Sequence, residues 1–227
     1  MDTLVKIKSV AAKEDLSLSD QAYRRLEEMI ATMALAPGAP ISESQLSTLL
    51  GIGRTPIREA LQRLSREHLV TILPKRGIFI SDLNPQKQLR VLETRRELER
   101  LICKKAAKRS TNDERTEFIR LAKDFRRSAK EKNNTLFLKI DKELNDLTIK
   151  AAKNEYAAAA MTTLHGMSRR FWFGNFHQEV SISSIAALHA TLADEIAAGQ
   201  EEAAGQALDK LLDYIEDFTR RTVLPDH

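Results

Sequence analysis

Apolar residues near the start of the chain recur every three to four positions, which predicts an amphipathic helix over residues 20–35. Its apolar face consists of Tyr23, Leu26, Met29, Ile30 and Met33. Pro37 and Gly38 follow it and are expected to end it. Residues 1–18 are polar and show no clear period, so we expect them to form a flexible arm.

A short second helix is predicted over Glu43–Leu50. Ser42 and Gln45 have the spacing of a capping box at its start, and Gly51 is a typical helix stop.

A third helix is predicted to begin at Thr55. The hydroxyl of Thr55 can cap the first free amides, and Pro56 suits a first turn because no amide hydrogen is needed there. Its apolar face holds Ile57, Ala60, Leu61 and Leu64, and its polar face holds Arg58, Glu59, Gln62, Arg63 and Arg66. Two short helices joined by a tight turn, the second one basic, indicate a helix-turn-helix whose second helix enters the major groove of DNA.

Two segments rich in β-branched residues come next, over 70–73 and 78–81. The four residues between them, Pro74-Lys-Arg-Gly77, are typical of a turn. This pattern predicts a β-hairpin with a cationic tip, the wing of a winged helix. We place the winged domain at residues 19–82.

Beyond residue 82 strand patterns vanish and helical periods continue to the end of the chain. The predicted helices cover residues 85–109, 112–131, 134–151, 154–173, 179–198 and 201–222. The predicted fold class is therefore mainly α: an N-terminal winged helix-turn-helix with a small β-hairpin wing, followed over residues 85–227 by an all-helical bundle.

The chain has 227 residues and a formal net charge of +4. Residues 54–76 alone contain six Arg or Lys against two Glu, a surplus of four, so the excess charge is local. A charge run is often only a solvated surface. Here it coincides with the start of a helix and the tip of a hairpin, where a winged helix meets phosphates and base edges, which favours DNA binding.

We therefore expect two sets of DNA contacts. The predicted major-groove residues are Arg54, Thr55, Arg58 and Gln62, and the predicted hairpin-tip residues are Lys75, Arg76 and Gly77. The second set would touch the adjacent groove or the backbone, and phosphate contacts would supply most of the affinity.

The composition excludes several other classes. No run of about 18 apolar residues exists and the N-terminus lacks the apolar core of a signal peptide, so we expect a cytoplasmic protein without membrane contact. The single cysteine, Cys103, excludes an internal disulfide and lies in an apolar pattern, where a packing role is expected. Phosphate-loop, dinucleotide-binding and nucleophile-elbow patterns are absent, which argues against an enzyme.

Charged residues fall on the inner faces of predicted bundle helices. Arg95 and Glu99 lie one turn apart within an apolar arc, either as a buried structural salt bridge or as part of a ligand site. Arg170 repeats the pattern more weakly, whereas Arg169 is expected to face away.

Three further polar residues also point inward. Asp141 and Asn145 lie one turn apart on the third bundle helix, and His189 lies among apolar residues on the fifth. A single inward histidine is usually a core residue with a satisfied hydrogen bond. Three polar side chains from two helices instead suggest a polar cavity.

The winged part resembles the N-terminal domain of GntR-superfamily bacterial transcription regulators. The matching residues are Pro37-Gly38, Glu43, Leu46, Gly51, Arg54-Thr-Pro-Ile-Arg-Glu-Ala-Leu61, Arg63-Leu64, Leu69-Val70 and Arg76-Gly77. The resemblance implies that Arg54, Thr55 and Arg58 contact bases or nearby phosphates and that Gly77 lets the wing approach the minor groove. Gly53 replaces a usual Ser or Thr. His68 replaces a usual Gly and is expected to act as a helix stop.

The bundle resembles the helical effector domain (FCD) of the FadR type. The matching residues are Arg95-x-x-Leu-Glu99, Asp141, Ala151-x-x-Asn154 and His189. In many such domains one Asp and three His form a metal site. The resemblance places Asn145 and Leu211 at two of those His positions, leaving Asp141 and His189 as residual ligands. We therefore expect no tightly bound metal, although a divalent ion at this degraded site stays open.

Together these patterns predict a ligand-responsive regulator, expected to be a repressor, that binds a near-palindromic operator as a homodimer. A small anionic effector, expected to be a carboxylate, would bind near Arg95, Asp141, Asn145, Arg170 and His189. Two alternatives stay open: a metal-dependent hydrolase bundle with an appended DNA-binding domain, and an architectural DNA binder that is indifferent to sequence.

Overall fold

The computed structural model describes residues 16–175 and 182–223, and within them the fold is mainly helical, as predicted. The N-terminal elements are α1 (Leu18–Ala31), β1 (Pro40–Ile41), α2 (Glu43–Leu50), α3 (Arg54–Arg66), β2 (Val70–Leu73) and β3 (Gly77–Ile80). The remaining elements are α4 (Pro85–Arg109), α5 (Asn112–Glu131), α6 (Asn134–Ala152), α7 (Glu155–Asn175), α8 (Ile182–Ala197) and α9 (Glu201–Val223). Most of the predicted arm, the start of the predicted helix 179–198 and the last four residues lie outside this description.

The first helix lies slightly earlier in the chain than its apolar period suggests. Ser17 caps α1 by accepting a hydrogen bond from the amide of Asp20 at 3.1 Å. The helix ends at Ala31, four residues before the predicted end, because Met33 adopts a left-handed conformation with φ of 61°. The stop therefore precedes the proline and glycine that were expected to cause it.

The expected cap of the third helix was wrong. The helix α3 begins at Arg54, and Gly53 is its N-cap without a side-chain hydrogen bond. The extended backbone of Gly53 (φ −58°, ψ 158°) and its carbonyl, which accepts from the amide of Ile57 at 3.3 Å, already close the first turn. Thr55 is therefore helical and free to present its hydroxyl outward. The preceding cap is as expected: Ser42 accepts from the amide of Gln45 at 3.2 Å.

The wing contains one more strand than predicted. The predicted hairpin is present as β2 and β3, and β1 pairs antiparallel with the outer edge of β3, giving the order β1-β3-β2. The two-residue β1 was not predicted because it is too short to show a period of two. His68 has φ of 59° directly after α3, which confirms its role as a helix stop.

Each half of the chain has its own apolar core. In the winged half the largest fully buried residues include Leu26, Ile57 and Leu64, and in the bundle they include Phe118, Phe125 and Phe137. Within the bundle α5 packs along α8, and α4 packs along α9. Cys103 belongs to the bundle core, in agreement with a packing role.

Helix α7 packs against both halves of the protein. Its contact with the winged half is close, as two of its glycines show. A Cβ placed on Gly166 would lie 2.9 Å from Cδ1 of Leu69, and one on Gly174 would lie 2.6 Å from Cε of Met33. Only glycine fits at such an approach without a shift of the neighbour. The same helix therefore contacts the winged domain on one side and the bundle interior on the other.

Candidate functional site

The residues predicted to contact DNA are exposed and occupy two adjoining elements. Arg54, Thr55, Arg58 and Gln62 project from α3, Lys75 and Arg76 lie in the turn between β2 and β3, and Gly77 is the first residue of β3. The buried face of α3 packs on α1, so its basic face remains open. The structure thus places all seven residues on accessible surface.

Arg58 is exposed but already has a partner. Its Nε and Nη2 donate to the two carboxylate oxygens of Glu43 on α2, both at 2.7 Å. This bidentate pair holds the two helices of the helix-turn-helix together across their open side. The hydrogen bond from Arg58 lowers the pKa of Glu43 below its ordinary value. Any DNA contact by Arg58 therefore competes with Glu43, a partner that the sequence pattern did not reveal.

The hairpin tip depends on two left-handed residues. Lys75 has φ of 63° and Gly77 has φ of 109°, and the amide of Arg76 donates to the carbonyl of Leu73 at 3.1 Å. A Cβ on Gly77 would meet nothing closer than 3.9 Å, so glycine is required there for its backbone conformation and not for space. The turn directs the two cationic side chains outward.

The bundle encloses a cavity of about 80 Å³ between α4, α6, α7, α8 and α9. Its polar lining includes Gln88, Arg95, Glu99, Asp141, Asn145, Thr148, His165, Ser168, Arg169 and His189. Apolar side chains complete the wall, among them Phe137, Met161 and Leu211. A mostly apolar pocket with a few convergent polar groups is the usual form of a small-molecule site.

Arg95 and Glu99 form the buried pair that their spacing predicts. Nε of Arg95 donates to Oε1 of Glu99 at 2.7 Å, and the two residues are 7% and 8% exposed. Both also line the cavity. The structural salt bridge therefore exists and borders the space in which a ligand would lie, so the two interpretations are compatible.

Asp141, Asn145 and His189 also line the cavity and lie in contact with one another, as their inward faces predict. Nε2 of His189 lies 3.1 Å from Oδ1 of Asp141, and Nδ1 lies 2.8 Å from the carbonyl of Ile185. Nδ2 of Asn145 donates to the carbonyl of Asp141 at 2.9 Å. Burial alone would raise the pKa of Asp141, but the hydrogen bond with His189 and the charge of Arg169 help to lower it overall, which keeps the carboxylate ionised.

His165 of α7 also lines the cavity and was not anticipated from the sequence. Burial disfavours its charged form, and Arg95 and Arg169 repel it further, so its pKa falls to about 3. A histidine in this state is a neutral hydrogen-bonding group at neutral pH. His165 lies four residues after Met161, which also lines the cavity, and this i, i+4 spacing could have indicated that His165 faces the cavity.

The prediction for Arg170 and Arg169 was wrong: their positions are reversed. Arg170 is 3% exposed and donates through Nη2 to the carbonyl of Ser81 in the groove between the two halves, outside the cavity. Burial lowers its pKa to about 10. Arg169 lines the cavity instead. Because α7 buries two faces, its apolar period did not distinguish the face toward the bundle from the face toward the winged domain.

Within the described ranges, none of the helices is long and apolar enough to cross a membrane.

Both halves of the chain match known protein families. The model of the family described as "Bacterial regulatory proteins, gntR family" matches residues 18–80, and the model of the FCD domain matches residues 90–214. An uncharacterized HTH-type transcriptional regulator in an unstable DNA locus of Streptomyces ambofaciens is 45% identical over 65 residues, which are 29% of this chain and 28% of that protein. The HTH-type transcriptional repressor RspR of Escherichia coli K12 is 22% identical over 204 residues, 90% of each chain.

The fold has a close counterpart among solved structures. E. coli McbR/YncC superposes with a TM-score of 0.81 at 16% identity, covering 92% of this chain and 100% of that one. At this identity the similarity concerns the fold alone. The matched family and relatives are regulators of transcription, so the protein is not an enzyme and the hydrolase hypothesis is wrong. The FCD match alone spans more than half of the residues, and the chain therefore belongs to the GntR family of bacterial transcription regulators with an FCD domain.

Proposed function

We propose that this regulator is a ligand-responsive repressor that binds a near-palindromic operator as a homodimer. The observation that carries the DNA-binding part is the exposure of the predicted contact residues on α3 and on the hairpin tip, side by side on one domain. The repressor RspR, similar over 90% of this chain, supports the direction of regulation. The FCD bundle would supply the dimer contact and the effector site.

In this proposal the operator replaces the internal partner of Arg58. A guanine edge or a phosphate offers the same planar, paired acceptors as the carboxylate of Glu43. Arg54, Thr55 and Gln62 would read neighbouring base edges in the major groove. Lys75 and Arg76 would neutralise phosphates beside it, which supports affinity without specifying sequence.

The proposed effector is a small anionic metabolite, most simply a carboxylate, bound in the bundle cavity. Arg95, Asp141, Asn145 and His189 line that cavity, and a guanidinium there supplies a partner for an anionic group. The proposed effector site does not include Arg170, which lies in the groove between the two halves, and includes Arg169 instead. Binding would bias the spacing of the two winged domains in the dimer.

The proposed operator role can be tested with Arg58→Ala on a duplex selected from a random library. We expect a loss of about 1–3 kcal/mol on the selected duplex and a much smaller loss on random DNA, because the guanidinium is proposed to contact a base. Fluorescence anisotropy with both duplexes measures the difference.

The matched control is Arg66→Ala, which removes the same exposed charge from the far end of α3. It should weaken both duplexes alike. Equal losses for Arg58→Ala on both duplexes would remove its base-reading role. The absence of any preference for a selected duplex would instead support the architectural alternative.

We also propose that the protein holds no tightly bound divalent metal. Of the four positions that form a metal site in related domains, Asp141, Asn145, His189 and Leu211 all line the cavity here. Leu211 has no donor atom, and Asn145 turns its amide nitrogen toward Asp141, so this donor set does not fit a four-ligand zinc site.

Restoring the two missing imidazoles tests this proposal. The double variant Asn145→His and Leu211→His should bind one zinc ion per chain, whereas the unmodified protein, purified without chelator, should hold far less than one. Elemental analysis and a competitive zinc-indicator titration measure both. Near-stoichiometric zinc in the unmodified protein would contradict the proposal.

A further inference from the structure

Helix α7 forms a shared wall between the bundle cavity and the winged domain. His165, Ser168 and Arg169 face the cavity. On the other side of the same helix Gly166 abuts Leu69, and Met167 packs against the winged core. A side chain at the boundary between these two faces can reach both the cavity and the winged domain.

Arg169 is that side chain. It lines the cavity, yet its Nη1 donates to Glu27 at 2.9 Å and its Nη2 donates to Glu28 at 3.1 Å. Both carboxylates belong to α1 of the winged domain. The side chains of Arg169 and Glu27 are each 13% exposed, so this ion pair is only weakly screened by solvent.

The other charges around the cavity have partners inside the bundle. Glu99 is held by Arg95, and Asp141 is held by His189. Arg169 differs from both because its partners, Glu27 and Glu28, come from another domain. An anion in the cavity would therefore meet a cation whose counterions, Glu27 and Glu28, belong to the DNA-binding half.

We propose that Arg169 is an anion receptor shared by the two domains: an anion that enters the cavity competes with Glu27 and Glu28 for its guanidinium and thereby weakens the contact that holds α1 against α7. This inference rests on the proposed effector function and assigns its regulation to one residue. The anion is a small molecule with a carboxylate or phosphate group, the groups that pair with a guanidinium.

Competition of this kind is reciprocal. If the anion weakens the bond between Arg169 and Glu27, that bond weakens anion binding by the same factor. Removing the carboxylate of Glu27, which lies outside the cavity, should consequently tighten anion binding within it. Glu28 has a second partner, Lys142, at 3.4 Å and a side chain that is 47% exposed, so Glu27 is the more informative position.

The test is a set of calorimetric titrations with succinate, citrate and inorganic phosphate at constant ionic strength. The proteins are the unmodified chain, Glu27→Gln, Arg169→Gln and the double variant Glu27→Gln with Arg169→Gln. Asp20→Asn is the matched control, because this carboxylate also belongs to α1 but pairs with Arg63 within the winged domain, at 3.5 Å.

Glu27→Gln should bind at least one of the three anions roughly 5-fold or more tightly than the unmodified chain. Asp20→Asn should match the unmodified chain, and both variants that lack Arg169 should lose the binding. Because the decisive result is a gain of affinity, misfolding cannot imitate it. Hydrogen exchange should also show faster exchange of α1 amides when the anion binds the unmodified protein.

Three results would overturn the inference: equal affinities in the unmodified chain and Glu27→Gln, retained binding in the double variant, or no binding of any of the three anions to Glu27→Gln. The proposed function fails separately. If the unmodified protein does not prefer a selected duplex over random DNA, the proposed function is refuted whatever the titrations show. If it keeps that preference but binds the anions no more weakly than Glu27→Gln does, only the role of Arg169 is refuted.

Discussion

Buried ionisable side chains around the cavity are held in particular charge states by their neighbours. Asp141 remains a carboxylate because His189 and nearby cations outweigh the effect of burial. His165 remains neutral because burial and the charge of Arg95 both oppose its protonation. The cavity therefore presents a carboxylate acceptor and the neutral imidazole of His165 beside the guanidinium groups of Arg95 and Arg169.

The lowered pKa of His165 predicts a loss of stability in mild acid. Its pKa is about 3 in the folded protein and 6.5 in the reference state, so the unfolded chain binds the proton more tightly. The stabilising contribution is complete above pH 6.5 and is lost progressively as the pH falls toward 3. Between pH 7.5 and pH 5.5 the loss should be about 1 kcal/mol in the free energy of unfolding.

Urea unfolding at these two pH values tests this prediction. His165→Gln should show a smaller decrease than the unmodified chain, because it has no proton to bind at this position. The control is His68→Asn. His68 is exposed and has a left-handed backbone conformation, which asparagine tolerates. This variant should show the same decrease in stability as the unmodified chain. An unchanged decrease in His165→Gln would contradict the assignment.

Among the elements, α7 buries two of its faces against different domains. Its small residues permit the close approach to the winged half, and its polar residues line the cavity. By contrast, α3 buries one face and leaves the other to solvent. This difference explains why the apolar period predicted the orientation of α3 correctly and that of α7 incorrectly.

The close packing of α7 predicts that Gly166→Ala destabilises the protein. The added methyl would lie 2.9 Å from Leu69, which is 1% exposed and has little room to move. Overpacking of this kind costs about 1–3 kcal/mol, against about 1 kcal/mol gained from helix propensity.

Gly205→Ala is the matched control in α9, where the nearest heavy atom, on the flexible Lys104, lies at 3.5 Å. This variant should be more stable than the unmodified chain by about 0.5–1 kcal/mol, because only the gain in helix propensity remains. Chemical denaturation of both variants gives the comparison. Equal stabilisation by the two alanines would show that α7 is not closely packed on the winged half.

At the scale of the whole molecule, cations are concentrated on one face of the winged half. Residues 54–76 contain six Arg or Lys against two Glu, while many charges of the bundle pair across helices, as in the contacts of Arg96 with Asp213 and of Arg100 with Asp209. A cationic surface of this kind favours binding to a polyanion such as DNA.

The cationic surface of the winged half predicts how salt affects binding to a random duplex. The logarithm of the association constant should fall linearly with the logarithm of salt concentration, by about 0.9 per phosphate neutralised. Arg76→Ala should reduce that slope by about 1, because Arg76 is proposed to make one phosphate contact. Lys150→Ala, which removes an exposed charge from the bundle, should leave the slope unchanged. Equal effects of the two variants would mean that the hairpin tip is not part of the interface.

Local order could be predicted from the sequence because its causes lie within a few residues. The stop at His68, the cap at Ser42, the hairpin and the inward Arg95–Glu99 pair all follow from neighbours within one or two helical turns. The exposed cationic surface followed for the same reason, since a helix with one apolar face must leave the other face open. The family resemblance extended these predictions to the fold class.

Contacts between distant segments were decided only by the tertiary structure. The partner of Arg58 is Glu43, the cavity gains His165, and Arg169 rather than Arg170 faces the cavity and links it to α1. Each depends on which of several surfaces a helix packs against, and the apolar period of a helix with two buried faces does not contain that information. The sequence alone thus determined most of the elements and the exposed cationic surface, and the packing of α7 determined how the two halves are joined.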